Sequence, residues 1–281
     1  MLHDLKASIS KCTLLFIALL FMALLPVIAS ADYILTAPPR ETPEAGEKLY
    51  GPLADHLSKL LNEKVQYKHP GNWLQYETGM KQNNYDIVFD GPHFAAWRLE
   101  NNQAKPLVRL PGKLDFVLTV RNDLNIKEKR YLVGKKICTL PPPNLGAMTV
   151  YAMFPNQVRQ PDFVWVTGGF KNVASKLETG DCDAAIFRKS FFEKKMTPEQ
   201  RVKLAVLETS KPYINQGVTI SSRIPTNHSQ RIFETLTKGE GLLAAKPIFD
   251  RFSVKNPTFV PAKLSEYKEL NLMRENNMFG W

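Results

Sequence analysis

From Asp32 onward the chain alternates short apolar runs of strand character with longer stretches whose leucines recur at helical spacing, and that alternation restricts it to an α/β fold. Tyr33 to Ala37 is the first predicted strand. Leu49, Leu53, Leu57, Leu60 and Leu61 share one face of a predicted helix from Glu44 to Leu61. Val65 and Tyr67 alternate with polar neighbours as a half-buried strand, Asn72 is placed to cap a helix running to Gln82, and Tyr85 to Phe89 is a third strand. Pro92 then opens another helix, in the first turn where proline's missing N–H costs nothing. Strand, helix, strand in this order predicts mostly parallel sheets, because parallel neighbours need a crossover long enough to hold a helix.

Two further strand-like runs flank the turn Pro111-Gly112, and the pattern then starts again. Ile137 to Leu140, Phe163 to Val166, Ala184 to Phe187 and Val202 to Leu207 are predicted strands, with helices at Gly146 to Phe154 and Val173 to Thr179. Gly217 to Ser221 follows as a late strand, then helices at Ser229 to Thr237 and Gly241 to Phe252, and a polar tail helix from Leu264. If the late strand returns to the first sheet, the chain crosses between two lobes twice, near Val120 and near Gln216. Residues 32–119 with 217–281 then form one lobe and 120–216 the other. Two extended crossings make a hinge, and the cleft between such lobes is where α/β proteins place ligands.

The first 31 residues read as an export signal: Lys6 and Lys11, an apolar run from Leu14 to Ile28, then Ala29-Ser30-Ala31 as an A-x-A cleavage site. An uncleaved anchor is the competing reading. Cys12 stands at the start of the apolar run, where no lipid attachment is expected. The formal charge of +10 is scattered rather than gathered into runs, so it predicts a solvated basic surface and no nucleic-acid partner. Cys138 and Cys182 remain after processing, either as a disulfide or as two core thiols. No GxSxG elbow, HExxH helix, Walker loop, GxGxxG turn or SxxK motif occurs, which disfavours an enzyme, and no metal site or cofactor is expected.

The stretch Tyr85-Asp86-Ile87-Val88-Phe89-Asp90-Gly91-Pro92-His93-Phe94-Ala95-Ala96 resembles the strand, Gly-Pro and helix of the phosphate, phosphite and phosphonate solute-binding proteins of ABC importers. Tyr50-Gly51-Pro52-Leu53-Ala54-Asp55-His56-Leu57 resembles that family's Y-x-P-L-x-x-Y-L helix, and Gly180-Asp181-Cys182-Asp183-Ala184-Ala185 its G-x-V-D-A-A. With Arg223-Ile224-Pro225 and Ser265-Glu266-Tyr267, the similarity spans nearly the whole mature chain. It implies a type 2 periplasmic-binding fold, a periplasmic monomer closing on a small anion without catalysis, and an inner-membrane ABC permease as partner. A ligand sensor or accessory protein that keeps the fold outside a transporter is the alternative.

The resemblance also points to site residues. Where phosphonate binders use a loop rich in Ser and Thr, this chain has Pro141-Pro142-Pro143-Asn144-Leu145-Gly146, which removes three N–H donors and leaves Asn144 as the polar side chain. Trp73 falls where the family has an aromatic residue, Gly91 and His93 at the next helix start, and Lys171 where phosphonate binders place a histidine. Arg188 and Gln216 stand where amine-binding relatives use carboxylates, and Arg40 follows the first strand. Lost hydroxyls, gained cations and an aromatic platform together imply an anionic ligand with an organic body.

Overall fold

A computed structural model describes residues 32–156 and 158–273 of the 281-residue chain. The predicted export signal and Cys12 lie outside the described residues. The described residues start with β1 (Asp32–Thr36), a helix at Pro43–Leu61, β2 (Lys64–Tyr67), a helix at Trp73–Lys81, β3 (Ile87–Asp90) and a helix at Pro92–Asn101. The first helix starts where Thr42 Oγ1 accepts from the Ala45 amide and Pro43 fills its first turn. It buries Leu49, Leu53, Leu57 and Leu61 and stops at Asn62, which adopts the left-handed conformation. Asn72 caps the second helix as expected, its side chain accepting from the Gln75 amide at 2.9 Å.

Next come β4 (Lys105–Arg109), β5 (Lys113–Leu114) and β6 (Phe116–Arg121). The second block runs through β7 (Lys136–Thr139), a helix at Leu145–Met153, β8 (Asp162–Trp165), a helix at Phe170–Glu178 and β9 (Ala184–Arg188). Short helices at Lys189–Lys194 and Pro198–Val202 lead to β10 (Leu204–Thr209), β11 (Tyr213–Ile214) and β12 (Gly217–Ile220). The second of these helices takes Val202 out of the predicted strand, held by a capping box between Thr197 and Gln200.

Six strands form one sheet in the order β13-β4-β12-β3-β1-β2, where β13 is Val260–Pro261, and five form another in the order β10-β6-β9-β7-β8. The late strand β12 thus belongs to the first sheet. The chain changes sheets between Arg109 and Phe116, ahead of the boundary expected at 119, because β6 lies wholly in the second sheet. The sheets are also mixed rather than mostly parallel. β1 with β3, and β7 with β8 and β9, are parallel, whereas β12 runs antiparallel to β3 and β4, and β6 antiparallel to β9 and β10. The strands that break the rule reach their sheet through extended connections that hold no long crossover helix, so nothing obliges them to run parallel.

The predicted helix from Gly241 to Phe252 is two, Gly241–Ala244 and Lys246–Arg251, because Pro247 cannot donate the backbone hydrogen bond that would join them. The tail from Leu264 to Met273 is a 3₁₀ segment. It buries Tyr267 and Leu270 in a cluster with Ala95 and Ala96 from the Pro92–Asn101 helix and with Leu118, Ile137 and Ile186 of the second sheet. That cluster ties the Pro92–Asn101 helix and the tail to the second sheet.

Cys138 in β7 and Cys182 ahead of β9 are joined by a disulfide across a separation of 44 residues, and both are buried. Cys182→Ser is expected to cost about 2–4 kcal/mol, chiefly by freeing the unfolded chain. That corresponds to a melting temperature lower by roughly 10 °C. A loss of under about 2 °C in calorimetry would mean the bridge constrains little.

Candidate functional site

Strand β3 is buried at all four positions and ends in Asp90, a carboxylate with no exposed surface. Burying it is tolerable only because it is fully paired. Arg98, one and a half turns into the following helix, donates to both its oxygens, Nη1 to Oδ2 at 2.6 Å and Nη2 to Oδ1 at 3.0 Å, and also donates to Thr219 Oγ1 in β12. Tyr76 adds a third bond, its hydroxyl donating to Asp90 Oδ2 at 2.5 Å. Burial and the neighbouring Asp90 carboxylate push the Tyr76 hydroxyl well above its ordinary pKa. The network ties β3, β12 and two helices into a neutral, rigid block, and it fixes the turn at Gly91 where the next helix begins.

A cavity of about 590 Å³ opens beyond that turn, between the ends of strands from both sheets. Arg40, Trp73, Gly91 and His93 reach it from the first sheet's side, and Asn144 and Arg188 from the second's; Gln216, just ahead of β12, lines it as well. Seven of the eight residues expected at a site thus line one cavity. Lys171 does not. The glycines Gly168 and Gly169, both with positive φ, turn the chain so that the helix begins at Phe170, which takes the place at the wall while Lys171 is exposed. Phe170, Phe116, Leu140 and Arg251 were not expected there. Their sequence neighbourhoods hold only ordinary core and helix signals.

The apolar wall is ordered by ring packing. Trp73 stacks on Phe94 with centroids 6.1 Å apart at 24°, and His93 lies 4.1 Å from the same Phe94 ring. The proline loop faces them, and it carries little free polarity. Asn144 Oδ1 accepts from the Gly146 amide at 2.8 Å, so the helix start at Leu145 is already capped by the chain itself.

The electrostatics are one-sided. Among the described residues, three arginines line the cavity and no carboxylate does. Arg251 is neutralised outside, its Nε donating to Glu41 at 2.9 Å. Arg40 and Arg188 have no ion-pair partner among the described residues, and Arg40 Nη1 is buried without a hydrogen bond. Burial lowers the Arg188 pKa, only partly offset by Asp115 nearby. The cause is lost hydration, which disfavours the charged form.

His93 is buried, and its Nε2 lies 2.9 Å from the carbonyl oxygen of Pro143 in the proline loop. A carbonyl only accepts, so Nε2 carries the hydrogen. Burial, with Arg40 and Arg98 adding repulsion, pulls the imidazole pKa down to about 3, so the ring is neutral at physiological pH.

The model of the family described as ABC transporter, phosphonate, periplasmic substrate-binding protein matches residues 35–267. The phosphate-import protein PhnD of Mycolicibacterium smegmatis is 26% identical over 195 residues, 62% of this chain, and the chain spans only 60% of that relative's length. A Xanthomonas citri protein solved with bound chloride has a TM-score of 0.71 at 15% identity, covering 87% of this chain and 97% of the other. PhnD1 of Prochlorococcus marinus, solved in complex with methylphosphonate, has a TM-score of 0.65 at 17% identity, covering 88% of this chain and 99% of its own. At such identities the likeness of the solved structures shows the fold.

Proposed function

The chain belongs to the phosphonate periplasmic substrate-binding proteins of ABC transporters, with their type 2 periplasmic-binding fold, and from there we propose that it captures a small organic oxyanion in the periplasm. The lobe built on β1–β4, β12 and β13 and the lobe built on β6–β10 close on the anion, and the complex delivers it to an inner-membrane permease without chemical change. One observation carries this reading: Arg40 and Arg188 face an aromatic-walled cavity that no carboxylate lines among the described residues. A half-buried cation without a partner among the described residues is costly, and an incoming oxyanion supplies the missing partner in bidentate form.

Inorganic phosphate and methylphosphonate, the cargo named for the M. smegmatis relative and the ligand of the P. marinus structure, supply the charge but fill little of 590 Å³. The loop that would wrap a bare oxyanion in hydroxyls and amides is proline here. Trp73 and Phe170 instead offer flat apolar surface to an organic body. A cationic ligand is opposed by the same two arginines.

A thermal-shift panel on ligand-free protein tests the reading. Phosphonates with an alkyl or aryl body are expected to raise the melting temperature most, by roughly 5–10 °C at a hundred times their dissociation constant. Trp73→Ala is expected to reduce the response to arylphosphonate while leaving the response to inorganic phosphate unchanged. A panel in which amines stabilise and oxyanions do nothing would refute it.

A further inference from the structure

Three buried polar atoms that lack any hydrogen-bond partner belong to residues lining this one cavity: Arg40 Nη1, His93 Nδ1 and Gln216 Oε1. The first is a donor, and an oxyanion satisfies it. The other two are acceptors, and an oxyanion cannot. Gln216 is free to turn its amide and offer the NH₂ instead. His93 has no such freedom, because its Nε2–H is engaged with the Pro143 carbonyl and a neutral imidazole then has only a lone pair at Nδ1.

The Arg40 guanidinium lies near the same turn. A Cβ built on Gly91 would lie 2.7 Å from His93 Cε1, 3.0 Å from His93 Nδ1 and 3.6 Å from Arg40 Nη2, so a side chain there would displace the imidazole. Glycine therefore lets an acceptor and a cationic donor, both on residues that line the cavity, approach the same point of the backbone. A group seated beside it must give a hydrogen to Nδ1 while its oxygens accept from Arg40. A fully ionised alkyl oxyanion offers lone pairs to both and leaves Nδ1 unpaired or repelled. A hydroxyl does both jobs.

We propose that the ligand carries a neutral O–H donor on or beside its anionic group, held between His93 Nδ1 and Arg40, so that the site selects donor-bearing oxyanions over plain alkyl ones. This rests on the oxyanion reading above. The donor has two possible sources, the acid's own hydroxyl in a singly protonated phosphonate or a hydroxyl on the adjoining carbon chain.

Calorimetric titrations with small matched anions separate them. Sulfonates stay unprotonated, so 2-hydroxyethanesulfonate against ethanesulfonate isolates the carbon-borne hydroxyl. Ethylphosphonate against ethanesulfonate at about pH 6, where the phosphonate keeps one proton, isolates the acid's own. At least one donor-bearing member is expected to bind about tenfold tighter than ethanesulfonate, and the ratio is expected to fall to within about twofold in His93→Phe. Ethanesulfonate binding as tightly as both donor-bearing anions would overturn the inference and leave the oxyanion reading standing, as would a preference that survives His93→Phe. Failure of all three anions to bind would overturn both. If His93→Phe does not fold, the wild-type ratios decide alone.

Discussion

Replacing Arg40 and Arg188 together by alanine is expected to weaken binding of an organic oxyanion about a thousandfold. Each guanidinium supplies a charge-assisted hydrogen bond in a dewatered site, worth about 2 kcal/mol, and a factor of ten in affinity takes about 1.4 kcal/mol. The variant also separates a binding role from a structural one. Neither arginine has an ion-pair partner among the described residues, and burial lowers the pKa of Arg188, so in ligand-free protein the cation is a strain rather than a support. Arg188→Ala alone is therefore expected to leave the melting temperature of the empty protein unchanged or higher while binding is lost. A variant that melts lower and still binds would assign these residues to the scaffold. Isothermal titration and calorimetry on the same samples read both quantities.

The opposite behaviour is expected of the buried arginine behind the site. Arg98→Leu removes the partner of a carboxylate that has no exposed surface, and breaking such a pair from one side costs about 3–5 kcal/mol. For a chain of this length that is a melting temperature lower by roughly 10 °C. Replacing the whole network at once is a different experiment, since an apolar substitute for both charges spares the cost of an orphaned ion. Arg98→Leu with Asp90→Leu is thus expected to recover part of the loss, although Tyr76 and Thr219 would then lose their own partners. If the single variant melts within about 2 °C of the parent, Asp90 must be protonated or hydrated in a way the described pairing does not allow.

The contrast between Arg98 and Arg188 also marks what the sequence could disclose. Local elements were legible because their causes are local: Asn72 caps its helix by a contact three residues away, and the leucines of Pro43–Leu61 report their buried face directly. The return of β12 to the first sheet followed from the need to give the late helices a surface. Strand direction was not legible, since whether β6 runs with or against β9 depends on how a connection turns in space. At the site, Gly91 and His93 stood out because Gly-Pro at a strand end forces a turn into a helix.

Lys171 was misplaced by one residue's rotation of a helix start. The double glycine before it leaves both the register and the direction of that turn open, and no side-chain pattern fixes them. The Asp90–Arg98–Tyr76–Thr219 block was out of reach for another reason. Its partners are separated by up to 121 residues, and each alone looks like an ordinary polar residue of a strand or helix. Nor does any spacing rule say that Arg98 is neutralised while Arg40 and Arg188 have no ion-pair partner among the described residues, although that difference separates the arginine paired within the fold from two that line the cavity.

The most direct test is a calorimetric titration of refolded, ligand-free protein with three compounds that share one body and differ in charge: benzylphosphonate, benzyl alcohol and benzylamine. A cavity built around Arg40 and Arg188 predicts saturable one-to-one binding of benzylphosphonate, weak or no binding of the alcohol, and none of the ammonium. Binding of benzylamine with no response to benzylphosphonate would contradict the assignment of this cavity to an anion.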